Sequence, residues 1–180
     1  KDVKQSAAGT IFKYKDESYR ISLLGDHQTI NAALAIEAIR FYDKKITKNI
    51  IKEGLLRTFW PGRMQKISNN VYFDVAHNVE SIRSAIKTTK SLFPKKLLFG
   101  MICLKGDKDI ETISREISDV FEVLFVSDDG DNKYLLKKDE LSKKLQIFGV
   151  ENKITQSTAQ GLKELKYLSQ DNGVGLIFGS

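Results

Sequence analysis

An α/β fold with a mostly parallel sheet and helices on both faces is predicted by three observations. Strand-like and helix-like segments alternate from about residue 64 to the end of the chain. The longer strand segments, residues 71–76 and 96–103, are continuous apolar runs without polar/apolar alternation, as strands buried on both faces require. The segments between them carry apolar side chains at helical spacing, for example Ile82, Ala85, Ile86 and Thr89, which gives one buried stripe per helix.

Taken in order, residues 10–24 alternate polar and apolar around Lys15-Asp16-Glu17-Ser18, a hairpin with one wet face. Two strands alone are marginal, so the hairpin is expected to close a sheet supplied by other sequence. Gly25-Asp26-His27-Gln28 breaks the alternation, and a helix is predicted over 28–42 with Ile30, Leu34, Ala38 and Phe41 as its buried stripe. A second helix is predicted over 47–58, with Ile51, Leu55 and Phe59 in register and Pro61 as its stop. The domain boundary is placed near Trp60, giving residues 1–60 (hairpin plus two helices) and 61–180.

Beyond it, residues 64–67 offer a short edge strand and 71–76 a buried one. Asn78 then caps a helix over 79–92 that stops before Pro94. Strands follow at 96–103, 123–127, 153–155 and 174–178, separated by helices at 107–118, 138–148 and 158–169. There is no internal repeat or low-complexity tract.

The totals exclude several classes. With 41% apolar and 29% charged residues the 180-residue chain is globular rather than disordered. No apolar run is long enough to span a bilayer. The single cysteine, Cys103, rules out an intrachain disulfide and suits a reducing, cytoplasmic compartment. A net charge of +6 spread over scattered lysines, with no basic stripe interleaved with aromatics, favours anionic small molecules over nucleic acid. The chain lacks an initiator Met and ends on a strand pattern, so it reads as a segment of a longer protein.

Candidate chemistry collects at strand and helix ends. Asp74 is a carboxylate inside an apolar run, costly there unless partnered. His77 follows at the carboxyl end of the same strand, the rim where open α/β sheets bind ligands. Arg63 follows a Pro-Gly turn, a placement suited to forked contact with phosphate or carboxylate. Asn31, near the start of the first helix beside His27-Gln28, offers a donor and an acceptor side by side, matching an adenine edge. Gly106-Asp107-Lys108-Asp109 is a charged loop that also suits a helix cap. Asp128-Asp129-Gly130-Asp131 lacks the ligands of a calcium loop and reads as a solvated turn. No phosphate-binding G-x-x-x-x-G-K-[ST] loop, G-x-G-x-x-G or zinc-spaced cluster is present.

Leu24-Gly25-Asp26-His27-Gln28-Thr29-Ile30-Asn31-Ala32-Ala33, Trp60-Pro61-Gly62-Arg63, Asp74-Val75-Ala76-His77-Asn78, Asp107-Lys108-Asp109 and Phe178-Gly179-Ser180 occur in the order of motifs in folylpolyglutamate and dihydrofolate synthases, which the chain resembles. Val75 and Val79 depart from the Gly and Pro of that pattern. The wider relatives are the Mur ligases. The resemblance implies a Rossmann-like sheet of the Mur ligase carboxyl-terminal type, preceded by the end of a central ligase domain. It implies an ADP-forming ligase that joins L-glutamate to dihydropteroate or tetrahydrofolate through an acyl phosphate. ATP would meet Asn31, Arg63 and Asp74, and glutamate would meet His77 and Ser180. Mg2+ would be held by groups outside this segment, which alone is expected to be inactive, and the protein is expected to be monomeric. The alternatives are a Mur-type amino-acid ligase of peptidoglycan synthesis and a non-catalytic nucleotide-binding α/β module.

Overall fold

The computed structural model describes residues 2–128, 130 and 132–180. Asp129 and Asp131 of the acidic turn lie outside the described residues. The chain forms two compact units, Lys1–Met64 and Gln65–Ser180. Among the described residues no helix is long and apolar enough to cross a membrane.

In the first unit three antiparallel strands, β1 (Val3–Ser6), β2 (Gly9–Tyr14) and β3 (Glu17–Ile21), lie in the order β1-β2-β3. Lys15 and Asp16 both adopt positive φ (46° and 62°) between Tyr14 and its partner Glu17. That is the two-residue turn whose twist matches a hairpin. The hairpin expected from sequence is therefore present, and the strand it pairs with, β1, comes from this chain rather than from other sequence. The sequence reading missed β1 because Val-Lys-Gln-Ser is a short, mostly polar edge strand with little hydrophobic pattern.

Helices α1 (Asp26–Tyr42) and α2 (Lys48–Arg57) complete this unit, with Thr47 accepting the Ile50 N–H at the start of α2. Its core joins Phe12, Tyr19 and Ile21 to Ala32, Ile36 and Ile51. The expected stripe on α1 is corrected here: Ile30, Leu34, Ala38 and Phe41 are exposed, Phe41 at 90%, and the buried positions are Gln28, Thr29, Ala32 and Ile36. Apolar residues occupy two faces of α1, and periodicity cannot say which face meets the strands. Phe59 likewise lies past the end of α2 and is exposed. Lys48 and Lys52 both reach Glu17, at 2.6 and 3.1 Å, and their donated hydrogen bonds pull its carboxyl down to about 2.

The second unit is a six-stranded sheet in the order β4-β5-β9-β6-β7-β8. Its strands are β4 (Gln65–Ser68), β5 (Val71–Asp74), β6 (Leu97–Cys103), β7 (Val123–Val126), β8 (Lys153–Ile154) and β9 (Gly173–Gly179). Only β4 is antiparallel, at the edge beside β5; every other pairing is parallel. The helices are α3 (Val79–Leu92), α4 (Ile110–Ile117), α5 (Lys138–Ile147) and α6 (Thr158–Leu168).

Leu165 of α6 packs on the face formed by Val71, Phe99, Met101 and Phe125. Strand side chains alternate between faces, so Leu98, Ile102, Leu124 and Phe178 point the other way. There Phe121 stacks on Phe178 with ring centroids 5.4 Å apart, and the buried Ile82, Ile113 and Leu141 come from α3, α4 and α5. The last strand, β9, lies between β5 and β6, so the carboxyl ends of β5, β9 and β6 are neighbours on one rim.

Candidate functional site

The rim is built by backbone register. Asp74, the last residue of β5, is paired with Phe178 of β9, and Cys103, the last residue of β6, with Gly179. The chain segments carrying His77, Ser180 and Lys105 therefore leave the same sheet edge from three adjacent strands. Asp74 is buried, with 8% of its surface exposed.

His77 is half-buried and held at two points. Its backbone N–H donates to Ser81 Oγ (3.2 Å), and its ring Nδ1 lies 2.8 Å from the Val75 carbonyl oxygen. The next residue, Asn78, caps α3 by accepting the Ser81 N–H at 2.9 Å, while Ser81 Oγ accepts the Asn78 N–H at 3.2 Å. This reciprocal capping box fixes the turn between strand and helix. Val75 and Val79 are accommodated in it: α3 starts at Val79 directly after the cap.

Ser180 is fixed from the β6 side. Its N–H donates to the Cys103 carbonyl at 3.1 Å, and its Oγ accepts the Lys105 N–H at 3.1 Å. Gly179 makes that approach possible. It has φ +132°, and a Cβ there would lie 1.7 Å from the Cys103 oxygen, so only glycine fits.

In the charged loop before α4, Asp109 is the N-cap: its carboxylate accepts the Thr112 N–H (3.1 Å) and hydroxyl (2.6 Å). Those bonds hold its carboxyl below the ordinary range. Lys108 meets the neighbouring Asp107 at 3.2 Å. Among the described residues no group of three or more His, Cys, Asp or Glu side chains could hold a metal ion.

The other two candidates belong to the first unit. Asn31 is exposed on α1 and donates its amide to Gln28 Oε1 at 3.1 Å. Gln28 is buried and lies 2.9 Å from His27 Nε2. Beyond that bond, Asn31 keeps its carbonyl oxygen as an acceptor and one amide hydrogen as a donor. Arg63 is exposed in the turn after α2, where Gly62 has φ 70° and the buried Met64 has φ 44°. Its guanidinium has no hydrogen bond or ion pair among the described residues.

Gln28 stands beside Asn31 in the polar cluster read from the sequence, whereas Ser81 and the Lys105 N–H were not identified there as supports. The Asn78-x-x-Ser81 spacing carries a capping signal that was available. A backbone N–H reaching Ser180 across neighbouring strands has no sequence signature.

The sequence matches the family described as "Mur ligase, glutamate ligase domain" over residues 62–180. It is 32% identical over 131 residues to the folylpolyglutamate synthase of Lacticaseibacillus casei, covering 66% of this chain and 30% of that protein. It is 30% identical over 124 residues to the dihydrofolate synthase/folylpolyglutamate synthase of Bacillus subtilis, covering 63% of this chain and 29% of that one. Among solved structures, Mycobacterium tuberculosis folylpolyglutamate synthase complexed with ADP and AMPPCP superposes with a TM-score of 0.84. Its identity to this sequence is 20%, over 99% of this chain and 44% of the other. The chain thus spans less than half the length of these relatives.

Proposed function

The chain belongs to the Mur ligase, glutamate ligase domain family, and from that premise we propose that it forms part of an ATP-dependent, ADP-forming ligase that adds L-glutamate to dihydropteroate or tetrahydrofolate. The observation that carries this reading is the rim itself, where Asp74, His77 and Ser180 occupy the ends of β5 and β9. The resemblance of the flanking motifs to folate-branch enzymes supports the choice of substrate. So does the 32% identity to the L. casei enzyme.

In this reading ATP phosphorylates the substrate carboxylate. The amine of glutamate attacks the acyl phosphate, the C–N bond forms and phosphate leaves. Asn31 reads the adenine edge, and Arg63 and Asp74 meet the nucleotide. An arginine aimed at phosphate oxygens offsets charge developing during phosphoryl transfer. His77 and Ser180 receive glutamate. Mg2+ accompanies the phosphates through ligands outside this segment, and the active protein is a cytoplasmic monomer.

The test is glutamate-dependent ADP release by the full-length protein, offered a dihydropteroate or reduced folate in one arm and a nucleotide-linked muropeptide in the other. Turnover with the pteridine substrate and not the muropeptide is the expected result. Turnover with the muropeptide alone would transfer the chain to peptidoglycan synthesis. No nucleotide dependence in either arm would leave a binding module.

A further inference from the structure

We propose that His77 is held as its Nδ1–H tautomer, and that its bare Nε2 is the base that takes a proton from the amino group of the incoming amino acid. The catalytic half of this proposal rests on the ligase reading above; the tautomer does not.

A carbonyl oxygen carries lone pairs and no hydrogen, so the 2.8 Å contact between His77 Nδ1 and the Val75 oxygen requires Nδ1 to be the donor. In the neutral ring the other nitrogen then has no hydrogen and presents a lone pair. Nε2 has no hydrogen-bond partner among the described residues. Turning the ring over would set a carbon against the Val75 oxygen and forfeit the bond. The backbone on which the ring pivots is tied to Ser81, whose hydroxyl accepts the N–H groups of both His77 and Asn78.

The neighbouring strand end has the opposite polarity. Ser180 Oγ already accepts the Lys105 N–H, so its own hydroxyl hydrogen remains to be donated. An acceptor and a donor at the ends of adjacent strands match an amino acid, which brings an ammonium and a carboxylate.

The ammonium of the amino acid gives one proton to Nε2, leaving the ring as an imidazolium. The neutral amine attacks the acyl-phosphate carbon; the new C–N bond forms as the C–O bond to phosphate breaks. Phosphate leaves with the electron pair of that bond and takes the second proton from nitrogen. The imidazolium then returns its proton to water.

Two measurements test this. The first is nitrogen-15 NMR of the imidazoles in this chain at a pH about two units above the ordinary imidazole value of about 6.5. The chain has two histidines, so a His27→Gln variant isolates the His77 signal. A protonated Nδ1 and a pyridine-type Nε2 are expected; the reverse assignment overturns the proposal.

The second compares His77→Asn with wild type in the full-length protein. The Asn side-chain amide keeps a donor toward the Val75 oxygen but removes Nε2. At saturating glutamate the kcat for ligation should fall roughly 10²–10⁴-fold, the usual worth of a positioned base, whereas loss of glutamate binding alone would raise KM, leave kcat unchanged and overturn the base. Trapping of the acyl phosphate by hydroxylamine, an amine already unprotonated at neutral pH, should stay within about twofold of wild type. Equal losses with both amines would assign His77 a structural role and overturn the base. Wild-type protein that forms no hydroxamate would remove the ligase reading and the base with it. That failure is distinguishable because the tautomer is read without substrates.

Discussion

Gly179→Ala is expected to destabilise the unit Gln65–Ser180 by roughly 2–6 kcal/mol, a large share of the about 5–15 kcal/mol that holds a domain folded. Two costs add. The backbone at this position has φ +132°, and holding a side-chain-bearing residue in so sparse a region costs about 1–3 kcal/mol. A Cβ would also stand 1.7 Å from the Cys103 carbonyl oxygen and 2.8 Å from its carbon. Those are backbone atoms of the adjacent strand and cannot swing aside, so β9 must shift against β6, adding an overpacking cost of about 1–3 kcal/mol.

Gly149 separates the two costs. It has φ +78° with nothing within 4 Å of a Cβ, so Gly149→Ala should show the conformational cost alone, about 1–3 kcal/mol. Urea unfolding of both variants followed by far-ultraviolet circular dichroism makes the comparison. Equal midpoints for Gly179→Ala and wild type would contradict the close strand approach that positions Ser180.

Arg63→Ala in the full-length protein should lose roughly 1.5–3 kcal/mol of transition-state stabilisation, the range for a hydrogen bond to a charged group. That corresponds to a fall of about 10- to 150-fold in ATP-dependent turnover. The guanidinium is exposed and makes no hydrogen bond or ion pair among the described residues, so its removal should leave folding stability nearly unchanged. The loss is therefore kinetic. In the proposed reading the contact meets charge that grows during phosphoryl transfer, so most of the loss should appear in kcat rather than in KM for ATP. Arg63→Lys keeps the charge but not the planar fork and should recover only part of the rate. Unchanged kinetics in Arg63→Ala would remove Arg63 from the nucleotide site.

Much of the sheet was legible because its physics is one-dimensional. Val71–Asp74, Leu97–Cys103 and Gly173–Gly179 are buried on both faces, so each appears in the sequence as an uninterrupted apolar run. The helices between them were legible from spacing and caps, with α3 bounded by Asn78 and stopping short of Pro94. The first unit was harder. Val3–Ser6 is an edge strand with a polar sequence, and α1 carries Ile30, Leu34 and Phe41 on one side and Ala32 and Ile36 on another. A period alone does not choose between two apolar faces; tertiary packing does.

Asp74 and His77 were legible as candidates because they stand at the end of a buried strand, whereas Ser180 was a candidate only through the resemblance of Phe178-Gly179-Ser180. What holds them was not visible beforehand. The Val75 carbonyl at His77 Nδ1 and the Lys105 N–H on Ser180 are backbone groups, brought into reach by strand register and turn geometry rather than by residue identity.

The most direct measurement is a crystal structure of the full-length protein with a non-hydrolysable ATP analogue. The expected result is one nucleotide with the Arg63 guanidinium on its phosphate oxygens, the Asn31 amide on its adenine edge and Asp74 within about 2.7–3.2 Å of one of its polar atoms. A bound nucleotide that touches none of these three side chains would contradict the assignment.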